Sequence, residues 1–458
     1  MATVRAPAVA GMFYPSDPAV LQHMVAGFIE AEAGADTAAG PFKAIIAPHA
    51  GYPYSGPIAG TVYAALRPLA SQIRRVVLLG PAHRLGFAGI AAPTADGLAT
   101  PLGVVPVDRA ALALALEVPG VRLFDEAFAG EHALEVHLPF LQHLFTNVAV
   151  VPLLVGSAAP PLVETVLERL WGGPETLIVI SSDLSHYLPY ASARKADLET
   201  SQAIEGLQTD RLSGQSACGY LPISGLLRRA AALDLRVTTL DLRTSGDTAG
   251  ERSQVVGYGG YGFEEAATAR LGERHREHLL AAARRGLVHA AARGQALSVI
   301  PEDYPLPLRA FRATFVTLTQ AGQLRGCIGT ILPTAPLVTD VVQNTFRAAM
   351  QDRRFGALSP RDVERTAIAI SILSHPRPMA IRGTADLLTR LRPHHDGLIL
   401  VDGPRQSLFL PKVWEMLPDP ALFVAQLKQK AGLAADHDAP SLQAYRFTTE
   451  SFPETPAC

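Results

Sequence analysis

The chain has 458 residues, of which 48% are hydrophobic and 18% are charged, and its formal net charge is -2. We expect two domains, because a chain of this length exceeds what one ordinary hydrophobic core organises. The near-neutral charge gives no electrostatic basis for binding nucleic acid or an anionic membrane surface, so we predict neither partner.

Three cysteines, Cys218, Cys327 and Cys458, are spread along the sequence. An odd, sparse set without a C-x-x-C pair is typical of a reducing compartment and argues against a disulfide framework or a structural zinc knuckle. The first residues lack the long apolar region of a signal peptide, and no run of about 18 apolar residues occurs. We therefore expect a cytoplasmic protein without a membrane span.

Short apolar runs alternate with helical patterns through residues 1–265. The runs are continuous in apolar residues, as expected of strands that are covered on both faces of a sheet. This rhythm predicts a layered α/β domain around a central mixed or parallel sheet. The predicted strands are 44–47, 76–80, 148–156, 177–182 and 255–263, and the predicted helices are 18–34, 131–145 and 160–171.

The composition changes after residue 263, and residues 266–458 are predicted to form a second, α+β domain. Segment 264–294 is rich in Ala, Glu and Arg with helical periodicity, which indicates a linker and a first helix. Further elements are predicted from apolar patterns and turn residues. They are a β-hairpin at 311–330, a helix at 335–352, a strand at 367–373, and a strand pair followed by a helix within 398–417.

Polar side chains follow three strands of the first domain at the point where each strand ends. His49 follows the first predicted strand, His83 the second, and Asp183 and His186 the fourth. Ligands of open α/β sheets bind outside the carboxyl ends of the strands, so we expect these side chains to converge. One such histidine is more often a capping or packing residue, but three together favour a functional site.

The chemistry of these side chains indicates a transition metal. Imidazoles with a carboxylate or thiolate suit iron, copper or zinc, and two histidines with one anionic ligand leave positions open, as in non-haem Fe(II) sites. An imidazole that is not a ligand can act as a general acid or base near neutral pH. His186 and Asp183 are the candidates for this catalytic role, with Asp183 orienting either the imidazole or a metal-bound water.

Cys218 is a candidate anionic ligand in the segment 216-SACGYLPISG-225. Gly219 permits a turn, and Pro222 suits the first position of a following helix. The thiolate would be favoured by the helix dipole and by a nearby imidazolium or metal. A buried small hydrophobic residue is an equally weighted alternative, and a cysteine nucleophile paired with histidine is a third.

Three polar residues of the predicted helix 131–145 are candidates for the pocket or for orienting a ligand. They are His132, Glu135 and His137. His132 and Glu135 are three residues apart and would share a helix face, although the spacing is not that of H-E-x-x-H. A carboxylate that orients a ligand imidazole is one interpretation, and a solvated helix face is the other.

The motifs IIAPHAGYPYSG, LLGPAHR, EHALEVHLPF, VVPLLVG, SSDLSHY and ACGYLPI occur in this order, and together they resemble the Memo family over roughly residues 5–263. The resemblance implies the fold of class III extradiol dioxygenases, which are non-haem iron enzymes. It implies metal ligation by His49, His83 and Cys218, with Asp183 and His186 lining the pocket. Dioxygenases use a carboxylate where this family has a cysteine, and a thiolate is softer and favours copper or zinc.

The second half resembles the AMMECR domain over roughly residues 270–450. The matching stretches are LRGCIGT at 324–330, DRRFGALSP at 352–360 and SLFLPKVWEM at 407–416. Arg325 could bind an anion and Cys327 could be reactive. A packed strand with a surface arginine is the favoured alternative, since glycines within a strand allow close backbone approach.

Proteins of these two families resemble components of one microbial system, the AmmeMemoRadiSam system, which also includes a radical-SAM protein. We therefore expect the two halves to act together on an unknown small molecule or peptide. One hypothesis is a redox enzyme that uses Fe(II) or Cu, with Zn as a further option and Tyr54 in the pocket wall. The alternatives are a non-catalytic module that captures an anionic or phosphorylated peptide, and an accessory factor for a radical-SAM enzyme.

Overall fold

A computed structural model describes residues 3–31, 41–265 and 271–454. Cys458, the end of the predicted helix 18–34 and part of the predicted linker lie outside the described residues. The chain divides into two compact units, Met1–Ala269 and Arg270–Cys458. Among the helices of the described residues, none has the length and apolar character needed to cross a bilayer.

The first unit contains strands β1 to β12 and helices α1 to α7. The strands are Val4–Arg5, Ala44–Ala47, Arg75–Pro81, Ile90–Ala92, Gly97–Thr100, Gly103–Pro106, Val121–Leu123, Ala149–Val155, Thr176–Ser181, His186–Leu188, Leu235–Thr244 and Val255–Glu265. The helices are Pro18–Ala31, Tyr52–Ala64, Arg109–Leu116, Leu138–Leu144, Pro160–Leu170, Tyr190–Glu205 and Tyr220–Ala232.

The central sheet of the first unit is mixed, which confirms the predicted fold class. Its order in the described residues is β10-β12-β2-β9-β3-β8-β4-β7, and β11 pairs with β12. Strands β2, β9, β3 and β8 run parallel to one another, whereas β12 is antiparallel to β2. A separate small sheet joins β5 to β1 and β6.

The parallel strands are apolar along their whole length because both faces of the sheet are covered. All four residues of β2 and all six residues of β9 are buried. Strands β2, β9 and β3 are adjacent, so the chain leaves all three at the same edge of the sheet. The polar residues that follow these strands are therefore brought together by the strand order.

The second unit contains strands β13 to β20 and helices α8 to α11, and it confirms the predicted α+β fold. The strands are Thr314–Gln320, Gln323–Gly329, Thr366–Leu373, Arg377–Met379, Gly397–Asp402, Arg405–Phe409, Gln443–Phe447 and Thr449–Pro453. The helices are Glu273–Arg293, Leu337–Met350, Thr384–Arg390 and Pro420–Lys430. The strands form two four-stranded sheets, ordered β14-β13-β15-β20 and β16-β19-β17-β18.

Two predicted helices are corrected by the structure. The predicted helix 131–145 starts too early, because the carboxylate of Glu131 accepts the backbone N–H groups of the next two residues and holds a loop there. A 3₁₀ turn, Glu135–His137, then leads into α4. Within 398–417, the segment after β18 forms only a 3₁₀ turn, Pro411–Glu415.

Candidate metal centre

His49 is held in a defined tautomer just beyond the end of β2. The imidazole is buried, and its Nδ1 lies 2.6 Å from the hydroxyl oxygen of Ser181. That hydroxyl donates its own proton to the carbonyl of Ala133, at 2.6 Å. Ser181 must therefore accept a hydrogen bond from Nδ1–H of His49, which leaves Nε2 with a free lone pair. An imidazole in this state is ready to bind a metal.

His83 is held in the same tautomer by a carboxylate. Its Nδ1 lies 3.0 Å from Oε1 of Glu131, and its backbone N–H donates to Oε2 at 2.5 Å. Burial opposes ionisation of Glu131, but these bonds and others from neighbouring N–H groups lower its pKa to about 2. The carboxylate is thus ionised and accepts from Nδ1–H, so the neutral tautomer of His83 has its lone pair on Nε2.

His132 is the third imidazole of the cluster. Its ring stacks on His83 with centroids 4.8 Å apart, and it lies 5.4 Å from the ring of His49. One nitrogen of each of the three rings lies within 4.8 Å of one nitrogen of the others. Two nitrogens bound to one metal at about 2.1 Å lie at most about 4.2 Å apart, so small ring movements would close the set.

Burial keeps the imidazoles of His49 and His132 neutral. Desolvation places the pKa of His49 well below its ordinary value, and the neighbouring imidazoles lower it further. Burial also lowers the pKa of His132 to about 4. Nδ1 of His132 is buried 3.3 Å from Oε1 of Glu131 without forming a hydrogen bond to it. Neutral rings with an available lone pair are the state in which histidine binds metals.

Asp183 and Cys218 lie against the same imidazole, His49. Oδ1 of Asp183 accepts the backbone N–H of His49 at 2.8 Å, and burial raises the pKa of this carboxyl to about 7. The sulfur of Cys218 lies 3.3 Å from Nε2 of His49 and 3.3 Å from the backbone nitrogen of Asp183. Burial, together with the Asp183 charge, raises the pKa of the thiol to about 12. In the absence of a metal, the cysteine is therefore a protonated thiol.

The close approach of Cys218 to the sheet depends on the glycine after it. A Cβ atom on Gly219 would lie 2.7 Å from both the carbonyl oxygen of Ser181 and the Cβ of Ser182. The backbone N–H of Gly219 also donates to the Ser182 hydroxyl at 2.9 Å. Helix α7 begins directly afterwards at Tyr220, so Pro222 lies inside its first turn rather than at its first position.

His186 lies at the exposed side of the cluster, as the first residue of β10. Its Nδ1 lies 2.9 Å from the carbonyl oxygen of Leu184, so Nδ1 carries the proton and Nε2 is free to accept one. Burial and the nearby His83 lower the pKa of His186. The ring therefore offers an unprotonated nitrogen at neutral pH.

Tyr258 lies near Asp183, and Tyr54 and Tyr187 lie near Tyr258. Tyr258 is buried, and burial raises the pKa of its phenol, with Asp183, Tyr54 and Tyr187 adding to the effect through their charges. Tyr54 is 43% exposed and Tyr187 is 70% exposed. Tyr187 also has a positive φ of 57°, a conformation that costs free energy for a side chain of this size.

Glu135 and His137 are engaged elsewhere. The carboxylate of Glu135 accepts hydrogen bonds from the backbone N–H groups of Ala8 and Val9 and from the hydroxyl of Tyr14, at 2.6–2.9 Å. It thereby fastens the N-terminal segment to the domain. His137 is fully buried, with Nδ1 3.0 Å from the hydroxyl of Tyr63. Burial lowers the pKa of His137 to about 3.

Arg325 and Cys327 lie on β14 of the second unit, and the contacts around them are those of a packed strand. Arg325 donates to the carbonyl of Gly356 at 2.7 Å. The sulfur of Cys327 lies 3.3 Å from the hydroxyl oxygen of Thr317, its cross-strand neighbour. A Cβ on Gly326, between them, would lie 2.2 Å from the carbonyl oxygen of Ala348. The glycine therefore lets the strand approach helix α9 closely.

Two residues that organise the centre were not identified as functional from the sequence. Ser181 ends β9, and its Cα partner in the parallel register is Ala47 of β2. A correct strand order alone would have placed its hydroxyl beside the histidine that follows β2. Glu131 reaches His83 across 48 positions of the chain, and a contact of this kind leaves no local pattern in the sequence.

Together the sheet and its polar edge define an α/β domain with a histidine-lined candidate metal centre, joined to an α+β domain. The family model of Memo-like proteins matches residues 5–261, and the AMMECR1 family model matches residues 280–452. The chain therefore belongs to the Memo family and carries an AMMECR1 domain in its second half.

Two relatives found by sequence agree with this assignment. A MEMO1 family protein of Aquifex aeolicus is 36% identical over 274 residues, which cover 57% of this chain and 99% of the relative. A MEMO1 family protein of Methanosarcina barkeri is 35% identical over 268 residues, covering 56% of this chain and 98% of the relative. Among solved structures, an uncharacterized protein from Pyrococcus horikoshii is 28% identical, covers 40% of this chain and 93% of its own, and has a TM-score of 0.37.

Proposed function

We propose that the Memo-like domain binds a redox-active transition metal, Fe(II) or Cu, and uses it in dioxygenase-like redox chemistry. The observation that carries the proposal is the clustering of three imidazoles with their ligand nitrogens within 4.8 Å of one another. Two of them, His49 and His83, are held by hydrogen bonds at Nδ1, so that the neutral ring has its lone pair on Nε2. Imidazole nitrogens suit iron, copper and zinc, so zinc is a further possibility for the same site.

His49 and His83 are the proposed common ligands, and the third position has two candidates. Cys218 would complete an N₂S site, since its sulfur lies 3.3 Å from Nε2 of His49. His132 would complete an N₃ site, since it belongs to the group of converging nitrogens. Either set leaves coordination positions for substrate or oxygen, and a bound iron or copper would supply one-electron redox chemistry there.

His186 and Asp183 are the proposed groups that move and hold protons beside this centre. The free Nε2 of His186 would accept a proton from a substrate hydroxyl, because Nδ1 already donates to the Leu184 carbonyl. The carboxyl of Asp183, whose pKa is raised to about 7 by burial, is poised to exist in either protonation state near neutral pH.

Metal analysis of the untagged chain, purified without oxygen, tests the proposal. We expect close to one iron or copper ion per chain, its loss in His49→Ala, and normal content in His23→Ala. His23 is an exposed residue of α1 and serves as a matched control. Oxygen uptake with a panel of substrates should depend on the bound ion. Wild-type chain that takes up no transition metal, even on reconstitution, would refute the proposal.

The proton balance of metal binding separates the two ligand sets. A thiol must lose its proton to ligate a metal, whereas a neutral imidazole loses none. Calorimetric titration in buffers with different ionisation enthalpies should therefore show release of one proton if Cys218 is a ligand. Cys218→Ser should abolish that release, whereas metal binding without proton release in the wild-type chain would assign the third position to His132.

The fusion supports a joint role of the two domains, and a radical-SAM protein is the proposed partner. If the domains act on one substrate, oxygen uptake by the intact chain should exceed that of the two separated halves. Co-purification with the radical-SAM protein of the same organism tests the partnership. Equal rates for intact and separated halves would count against joint action.

A further inference from the structure

A groove on the second unit has the dimensions and lining of a small-molecule site. It has a volume of about 870 Å³ and lies between one face of α8 and the segment that follows this helix, 297–304. Ligand sites commonly have volumes of roughly 300–1,000 Å³. The opposite face of α8, which includes Leu279 and Leu287, is buried in the core of the unit. The groove is thus formed by the side of the helix that its own domain leaves uncovered.

The helix side of the groove is basic. His278, Arg285, His289 and Arg293 line it at spacings of seven, four and four residues, which place them on one face of α8. The hydroxyl of Tyr304, on the opposite wall, accepts a hydrogen bond from Arg285 at 2.8 Å and so orients this guanidinium within the groove. These groups are the donors that recognise carboxylate, phosphate or sulfonate oxygens.

One further arginine of the groove is already neutralised. Arg284 pairs with the carboxylate of Glu454 and also donates to the carbonyls of Val363 and Thr366 at 2.9 and 2.8 Å. It therefore fastens α8 to its own domain. Asp303 is the only acidic residue among those that line the groove. The lining accordingly keeps a surplus of positive charge.

Apolar side chains lie beside this charge. Val288 of α8 is 49% exposed and Ile300 on the facing segment is 60% exposed, and both line the groove. Leu297 and Val299 complete the apolar part, half-buried against the domain core. An apolar wall next to a row of cationic groups matches a ligand that has an apolar body and an anionic end.

We propose that this groove is a binding site for an organic anion with an apolar body, in which the arginines hold a carboxylate, phosphate or sulfonate group. Arg285 and Arg293 hold the anionic group. Val288 and Ile300 cover the apolar body. The proposal is independent of the metal centre of the Memo-like domain.

The test uses the intact chain and two fluorescent probes that differ in one charge. They are 8-anilinonaphthalene-1-sulfonate and its uncharged parent, N-phenyl-1-naphthylamine. We expect the sulfonate to bind more tightly than the parent, and added salt to weaken the sulfonate alone. The double variant Arg285→Gln/Arg293→Gln should weaken the sulfonate about tenfold, because hydrogen bonds to charged groups are lost, and should leave the parent unchanged.

A pair of valine variants controls for nonspecific binding to exposed apolar surface. Val288→Glu should abolish binding of both probes, whereas Val20→Glu on α1 should have no effect, since Val20 is a helical valine with a similar exposure of 51%. Circular dichroism of each variant confirms folding. If the affinity for the sulfonate probe is the same in the arginine and Val288 variants as in the wild-type chain, the proposal is overturned. Displacement of the probe by polyglutamate but not by dodecyl phosphate also overturns it, because that result would make the groove a protein-docking surface.

Discussion

Replacing Ser181 by alanine should weaken metal binding at the proposed centre without touching a metal ligand. The Ser181 hydroxyl accepts from Nδ1–H of His49 and donates to the Ala133 carbonyl, both at 2.6 Å. In Ser181→Ala, the Nδ1–H of a buried imidazole loses its acceptor and the carbonyl loses its donor. Leaving a buried polar group without a partner costs about 1–3 kcal/mol.

The substitution should lower metal affinity because the hydrogen bond from His49 to Ser181 selects the tautomer whose Nε2 can bind a metal. Without Ser181, the His49 ring can rotate or carry its proton on Nε2, where it cannot ligate. Changes to groups that orient ligand imidazoles typically reduce metal affinity about 10–100-fold. We expect a loss of this size for Fe(II) or Cu, measured by competition with a chelator of known affinity.

Ser407→Ala is the matched control for this prediction. Ser407 is a buried serine of β18 whose hydroxyl donates to the Leu427 carbonyl at 2.7 Å. Its loss should destabilise the second unit and leave metal affinity intact. Trp171 and Trp414, one in each unit, allow unfolding of the units to be followed separately in single-tryptophan backgrounds. Wild-type metal affinity in folded Ser181→Ala would refute the reasoning on the tautomer.

Three further predictions concern single side chains. Glu131→Gln should lower metal affinity about tenfold, measured by chelator competition, because a neutral amide orients His83 less strongly than a carboxylate. Hydrogen bonds from the neighbouring Arg354 guanidinium and from a backbone N–H lower the pKa of Asp352 from 3.8. The ionised Asp352 therefore stabilises the second unit above pH 3.8, and this stabilisation is lost as the pH falls through the lower pKa of the folded state. Asp352→Asn should therefore destabilise the second unit by about 1–3 kcal/mol at pH 7 in urea unfolding, with the difference shrinking below pH 3.8. Gly326→Ala should destabilise the same unit by at least about 1–3 kcal/mol, because its Cβ meets a helix carbonyl, whereas Gly356→Ala, with nothing within 4 Å, should be tolerated.

The sequence predicted the fold well because the apolar runs of the first domain are buried on both faces. Strands such as β2 and β9 read as continuous apolar segments, and the structure gives bounds within about one residue of those expected. The start of α4 was wrong for a local reason. Side-chain capping by Glu131 competes with helix formation, and helical periodicity carries no information about such a bond.

The candidate site was predictable to the extent that strand order determines it. Residues that directly follow adjacent parallel strands had to meet, and this placed His49, His83 and Asp183 at one edge without any knowledge of side-chain geometry. The position of His132 could not be obtained in this way. It comes from a loop, and its place beside the other rings depends on how that loop packs across the ends of the strands.

Strand order positions His49 and His83, whereas loop packing positions the candidates for the third ligand. The sequence therefore does not identify the third ligand of the proposed centre. Cys218 and His132 both reach the site from connecting segments, and either residue could serve as the third ligand. The cysteine comes close only because Gly219 lets its loop pack against the end of β9. The histidine comes close because Glu131 holds the backbone of its loop and orients the His83 ring on which it stacks. His49 and His83, which follow strands of the sheet, belong to both proposed ligand sets. The packing of the two loops would therefore determine whether sulfur or nitrogen completes the site.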